Sequence, residues 1–379
     1  MAKKKKVRVD LRKNRSKPAR QRHWTRGFQE HGFDEEATPA EERVRAKGEL
    51  SRRRTIIQEE ETADAGGEEA AVMPAIDPAT CRLGRVLRVH GLQSVVETAD
   101  GQQYRCAVRR LLRTLATEER NIVTTGDQVW FRPAGNDEGL IERVEPRHGV
   151  LTRASKRREH VLVANVDQLV IVMSLIEPDL KPHLLDRYLA SAEKGGIAPL
   201  ICLNKADLVH PAPFQSLIGM YCQLGIPTLL TSAATGHGIE RLRRLLRHRQ
   251  SVFAGQSGVG KSSLLNAIQP DLGLKVREVS EGTQKGRHTT TTAQLLKLDF
   301  GGWVVDTPGI RQFQLWDVIP EEVEGFFPEF RPFVPLCAFP DCTHTHEERC
   351  AVKNAVERRQ ISISRYTSYL GLFHGDPAE

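Results

Sequence analysis

Residues 255–262 read GQSGVGKS, and Gly255, Gly260, Lys261 and Ser262 fit the spacing G-x-x-x-x-G-K-[ST]. The preceding SVFA reads as a strand and the following SSLLNAI as the opening of a helix. In that setting the backbone N–H groups of Gly255, Gln256, Ser257, Gly258, Val259 and Gly260 converge, and glycine lets the chain approach a ligand closely. Such a cradle at a helix N-terminus takes phosphate, because its unpaired amides and its dipole both favour an anion. Lys261 is placed to sit between the β and γ phosphates, and the Ser262 hydroxyl to hold Mg²⁺, with Ser263 following in the first helical turn. DTPG at 306–309 supplies a further oxygen: Asp306 ends a strand in LLKLDFGGWVVD and can hold the ion through water, while the Gly309 amide can contact the γ-phosphate.

Upstream, NKAD at 204–207 closes the apolar run PLICL, and its chemistry is selection of a base. The Asp207 carboxylate accepts from both N1–H and the 2-amino group of guanine; adenine offers neither donor and would leave the carboxylate unpaired. Lys205 can lay its aliphatic stem along the base, and Asn204 can tie this loop to the phosphate loop, with Ala206 between them. In TSAATG, after the strand PTLL, Ser232 and Ala233 are expected to add a backbone N–H to the guanine oxygen. The nucleotide implied is GTP rather than ATP.

The order of these motifs is inverted. Base-reading segments come at 204 and 232, and the phosphate, switch and metal segments follow at 255, about 289 and 306. NKAD, GQSGVGKSS, GRHTTT, DTPGIRQF and CAFPDCTHTHEERCAV in this sequence resemble the circularly permuted, ribosome-associated GTPases of the RsgA/YjeQ family, from about Arg82 to the C-terminus. The resemblance implies a multidomain α/β protein: a small antiparallel β-barrel (OB-fold), a circularly permuted P-loop GTPase domain and a small C-terminal zinc domain with helices. It also implies a GTPase that assists late maturation of the small ribosomal subunit. A nucleotide pocket needs its loops in space and is indifferent to which chain ends are joined. Permutation does change the outlet, since DTPG now leads directly into the C-terminal region.

GRHTTT at 286–291 lies in a Gly- and Thr-rich stretch suited to a first switch, and its spacing favours Thr290 as the hydroxyl that meets Mg²⁺, with Thr289 the alternative. Ile310 stands where many GTPases carry a water-orienting glutamine, so slow intrinsic turnover is expected. His288 is a catalytic candidate on the strength of the resemblance, its neutral imidazole positioning the attacking water; an exposed switch histidine, or one that binds RNA, is the other reading. Two rival functions stay open: an RNA-binding protein with a structural, unhydrolysed GTP, and a metabolic P-loop kinase, against which NKAD argues.

Cys337, Cys342, His344 and Cys350 form C-x4-C-x-H-x5-C, three thiolates and an imidazole, the closed tetrahedral set of one structural Zn²⁺. His346 competes with His344; the family pattern favours His344. Cys81, Cys106, Cys202 and Cys222 read as small core residues. Beyond the cluster, AVKNAVERRQISISRYTSYLGLF has helical spacing, with Arg358, Arg359 and Arg365 available to phosphates or on a solvated face.

Charge is unevenly distributed. The chain of 379 residues carries +7, yet residues 1–26 hold twelve Lys/Arg against one Asp, so residues 27–379 sum to −4. This tail and the acidic linker EEETADAGGEEAA place a disordered segment at 1–80, able to meet a polyanion. Five short alternating runs place a barrel at 81–147, where Arg85, Arg88, Arg105, Arg109, Arg110 and Arg113 line an oligonucleotide groove or form its outer face. DQLVIVMSL and IAPLICL, near-continuous hydrophobic runs, open the GTPase domain at 148–315, and 316–379 hold the zinc and helical domain. The longest uncharged apolar stretch, Leu169 to Ile176, is far short of the roughly 20 residues of a membrane span. No apolar segment follows the basic start, so export is not expected. The expected setting is a reducing cytoplasm, with GTP/GDP and the small ribosomal subunit and its rRNA as partners, no membrane, and a monomeric chain.

Overall fold

The computed structural model describes residues 4–10, 53–59, 76–109, 112, 122–135, 137–155, 158–274, 293–306 and 320–375. The chain divides into two units, Met1–Asp77 and Pro78–Glu379. In the first, β1 (Lys4–Asp10) pairs antiparallel with β2 (Arg53–Glu59). Their register runs from Lys4 opposite Glu59 to Asp10 opposite Arg53.

The second unit opens with five strands: β3 (Arg82–His90), β4 (Gln93–Thr98), β5 (Gln103–Val108), β6 (Gln128–Pro133) and β7 (Glu138–Val144). Their order is β3-β4-β5-β7-β6, and β6 returns to pair with β3, closing a barrel. Only the β5–β7 contact is parallel. Alternation puts Val86, Val96, Cys106, Val129, Phe131 and Ile141 inside, each with no exposed surface. Arg105 and Arg109 are exposed, Arg109 lying 3.3 Å from Glu142, whereas Arg110 and Arg113 lie outside the described residues.

After the hairpin β8 (Leu151–Ser155) and β9 (Arg158–Val163) comes a layered α/β sheet. Its elements in chain order are β10 (Gln168–Ser174), α1 (Pro182–Lys194), β11 (Ala198–Asn204), α2 (Gln215–Gln223), β12 (Thr228–Leu230), α3 (Ile239–Leu246), β13 (Gln250–Ala254), α4 (Lys261–Ile268), β14 (Gln294–Lys297) and β15 (Trp303–Asp306). The spatial order is β12-β11-β10-β13-β15-β14, parallel except for β14. Period-two geometry explains the unbroken apolar run of β10: Leu169, Ile171 and Met173 meet α1 and α2, whereas Val170 and Val172 meet α3 and α4. Cys202 joins this second face and Cys81 and Cys106 are buried, but Cys222 is exposed on α2, because its helix turns that position away from the core.

Barrel and sheet meet at β14 and β15. Gln294 pairs with Arg88 of β3, and the Thr125 hydroxyl donates to the Ala293 carbonyl at 2.9 Å. Arg85 of the barrel and Lys297 of β14 each stand 5.5 Å from the ring centroid of Trp303.

The C-terminal module has α5 (Pro320–Val323), α6 (Ala351–Glu357) and α7 (Ile363–His374) around a core of Phe327, Phe330, Val352 and Tyr369. It docks through charge as well as apolar surface. Arg365, with a side chain 3% exposed, reaches Asp186 of α1 at 2.8 Å and grips Glu329 through Nε at 2.6 Å and Nη2 at 3.1 Å. The Tyr221 hydroxyl of α2 donates to the same Asp186 oxygen at 2.7 Å. Arg365 is therefore not available to phosphates; on the next-turn side of the sequence Arg358 and Arg359 are exposed. Burial opposes the charge on Arg365, but Asp186 and Glu329 outweigh it and hold the guanidinium protonated.

Candidate active site and metal centre

The nucleotide-binding motifs gather where an open parallel sheet presents its carboxyl ends. β13 ends at Ala254 and turns at Gly255, whose φ of 144° and 2.0 Å separation between an added Cβ and the Val172 carbonyl admit only glycine. Gly260, at φ 90°, is the second such point: a Cβ there would stand 2.5 Å from Asn204 Nδ2. Between them Val259 is buried, and α4 then starts at Lys261. The Lys261 ammonium folds back over the loop, donating to the Gly255 carbonyl at 2.7 Å and to that of Gln256. Ser262 and Ser263 are half-buried in the first turn, and Gln256, Ser257 and Gly258 keep exposed surface.

One side chain joins this cradle to the base-reading loop. Asn204, buried at the end of β11, donates from Nδ2 to the Val259 carbonyl at 2.8 Å and accepts at Oδ1 from the Thr231 hydroxyl at 3.3 Å. Thr231 is a positioning residue that motif reading passes over, although it stands at the head of TSAATG. Lys205 takes a left-handed φ of 60° and its ammonium donates to the Glu177 carbonyl. The Ala206 amide donates to the Thr231 carbonyl at 3.1 Å. Beyond it Asp207 is exposed at the mouth of the loop. Of the two residues expected to offer an amide to guanine, Ser232 has already donated its N–H to the His237 carbonyl at 3.0 Å, while its hydroxyl accepts from the Thr235 amide at 3.1 Å. Ser232 shapes the loop, and Ala233 is half-buried beside it.

Asp306 is the last residue of β15, whose partner β13 carries the phosphate loop, in a register that pairs Val305 with Val252. The Asp306 side chain and the remaining candidates, His288, Thr290 and Gly309, lie outside the described residues.

Cys337, Cys342, His344 and Cys350 bring one ligand atom each to within 4.8 Å of one another. The Sγ atoms of Cys337 and Cys350 are 4.0 Å apart, and His344 Nδ1 stands 3.6 and 3.3 Å from them. Tetrahedral bonds of about 2.3 Å place ligands about 3.8 Å apart, so the cluster fits a metal ion. His344 Nε2–H donates to Glu324 at 3.0 Å, which leaves Nδ1 as the lone-pair nitrogen facing the thiols. His346 points elsewhere, 83% exposed and bonded to Thr345. Glu324 lies far upstream of the cysteines and has no local signature. Cys350 caps α6, its sulfur accepting from the Lys353 amide at 3.4 Å, which suits a thiolate. Glu347 organises the loop, taking bonds from the Thr343 amide and hydroxyl, each at 2.7 Å, and from the Thr345 amide at 3.0 Å.

A family model described as RsgA GTPase matches residues 144–316. The small ribosomal subunit biogenesis GTPase RsgA of Chlorobaculum parvum is 43% identical over 301 residues, covering 76% of this chain and 96% of the relative. That of Shewanella oneidensis is 37% identical over 328 residues, covering 86% and 92%. The chain belongs to the RsgA GTPase family. As a member it is a GTP-hydrolysing enzyme. Among solved structures, YjeQ from Thermotoga maritima superposes with a TM-score of 0.65 at 38% identity, covering 78% of this chain and 98% of that one. YloQ, described as a circularly permuted GTPase, gives 0.62 at 28% identity, covering 80% and 100%. The inverted motif order and the strand order around β13 are thus those of a permuted RsgA GTPase, with the closed five-stranded barrel preceding it.

Proposed function

We propose that this GTPase binds the small ribosomal subunit and assists its late maturation, hydrolysing GTP to GDP and phosphate with stimulation by the subunit. The observation that carries the nucleotide reading is the Asn204 bond to Val259, which fixes the base loop against the phosphate cradle at one spacing. In the bound state Asp207 pairs with guanine N1–H and the 2-amino group, the Lys205 stem covers the base, and Ala233 offers its amide to the guanine oxygen. Backbone N–H groups from Gly255 to Ser263 surround the phosphates, and Lys261 leaves its two loop carbonyls for the β and γ oxygens. Ser262, Asp306 and Thr290 are hard oxygen donors suited to Mg²⁺, which when bound neutralises phosphate charge. His288 holds the attacking water through a neutral imidazole, and the Gly309 amide senses the γ-phosphate.

The Cys337, Cys342, His344 and Cys350 set is that of a structural Zn²⁺, whose binding energy becomes folding energy for a small module. The domain boundaries follow at 81–147, 148–315 and 316–379, behind the 1–80 tail. Barrel, zinc module and tail grip rRNA, and the protein acts as a monomer in the cytoplasm. Support for the ribosomal role comes from relatives that carry that name and align over nearly their whole length. Turnover of GTP and of ATP, each with and without purified small subunits, tests the reading. Slow GTP turnover raised by subunits, with ATP inert, is the expected result; equal use of ATP, or no response to subunits, refutes it.

A further inference from the structure

The helix α3 and the turn after it read IERLRRLL-RHR, with arginines at 241, 243, 244, 247 and 249 and Glu240 as the one acid among residues 240–249. Its apolar stripe is spent: Ile239, Leu242 and Leu246 are buried against the sheet. Arg241, Arg244, Arg247 and Arg249 are exposed, and Arg243 lies over the Phe300 ring at 5.0 Å. Among the described residues no ion pair joins any of the five to a carboxylate. This net +4 segment therefore stands uncompensated on a body, residues 27–379, whose sum is −4.

We propose that α3 and its following turn form an RNA-backbone contact on the GTPase domain itself, additional to any made by the barrel or the metal module. The guanidinium forks match phosphate in pairs, whereas a membrane would find no free apolar face on α3 to insert. Placement favours a large particle. α3 lies with α4 on one face of the sheet, and the metal module docks on α1 on the other, so a partner engaging both must span the domain. The identity of the RNA as ribosomal rests on the function proposed above. Arg247 and Arg249 lie just before β13, at the end of that strand opposite the nucleotide loops, so substitutions there leave the pocket intact.

The test is the triple variant Arg241→Gln, Arg244→Gln and Arg247→Gln in the full chain, assayed against purified small subunits and against their deproteinised rRNA. Basal GTP turnover stays at the parent level. Affinity for both probes falls, and the slope of log K against log[salt] flattens by about 2. Unchanged affinity and slope with both probes overturns the proposal, as does a loss seen with subunits but not with rRNA, which assigns the surface to a protein. A parent chain that ignores subunits yet shows the slope difference on rRNA sinks the ribosomal function while leaving this contact standing.

Discussion

At the scale of single residues, selectivity depends on which groups remain uncommitted. Asp207 ends NKAD exposed, whereas Asn204 beside it is buried and bonded on both sides. Asp207→Asn replaces an acceptor by a group that also donates, which mismatches the 2-amino group of guanine and matches a carbonyl at that position. We expect GTP affinity to fall roughly 10- to 100-fold and that for xanthosine triphosphate to rise, read by equilibrium binding. The tie that Asn204 makes to the phosphate loop was legible in sequence because the motif names the residue that makes it. The spent amide of Ser232 was not, since its acceptor is set by how TSAATG curls. Glu324 behind His344 was equally hidden, because a carboxylate twenty residues upstream has no pattern that names its partner.

Elements were legible wherever burial imposes a period. β4 alternates along its length and β10 is buried throughout, so one-sided and two-sided strands could be told apart. Closure of the barrel by β3 and β6, and the meeting of β14 with β3, are pairings between distant segments that periodicity does not specify. The metal loop illustrates how a short element is held. Burial would push the Glu347 carboxyl up, but hydrogen bonds from Thr343 and the loop backbone outweigh it and hold it at about 2. A folded value below the ordinary carboxyl range of about 4.3 gives stability present at neutral pH and lost as pH falls from roughly 4.5 toward 2. Unfolding followed against pH for the parent and Glu347→Gln should show a gap at neutral pH that closes over this interval; a gap independent of pH contradicts the assignment.

Across the whole molecule, Arg365 clamps the metal module to the GTPase domain, and its removal leaves Asp186 and Glu329 buried without their cation. Arg365→Ala should cost about 3–5 kcal/mol in denaturant unfolding, and Arg365→Lys should recover little, because an ammonium lacks the planar fork. The surrounding sequence gave Arg365 the look of a surface arginine; only the fold, by laying α7 across α1, buries it. The junction of barrel and sheet has its own consequence. Trp303 meets one cation from the barrel, Arg85, and one from the sheet, Lys297, on the strand that ends at Asp306. Its indole is a built-in optical gauge: emission from a variant retaining Trp303 alone among the four tryptophans should shift when the barrel is displaced or the nucleotide exchanged, giving the coupling a time course without an added dye.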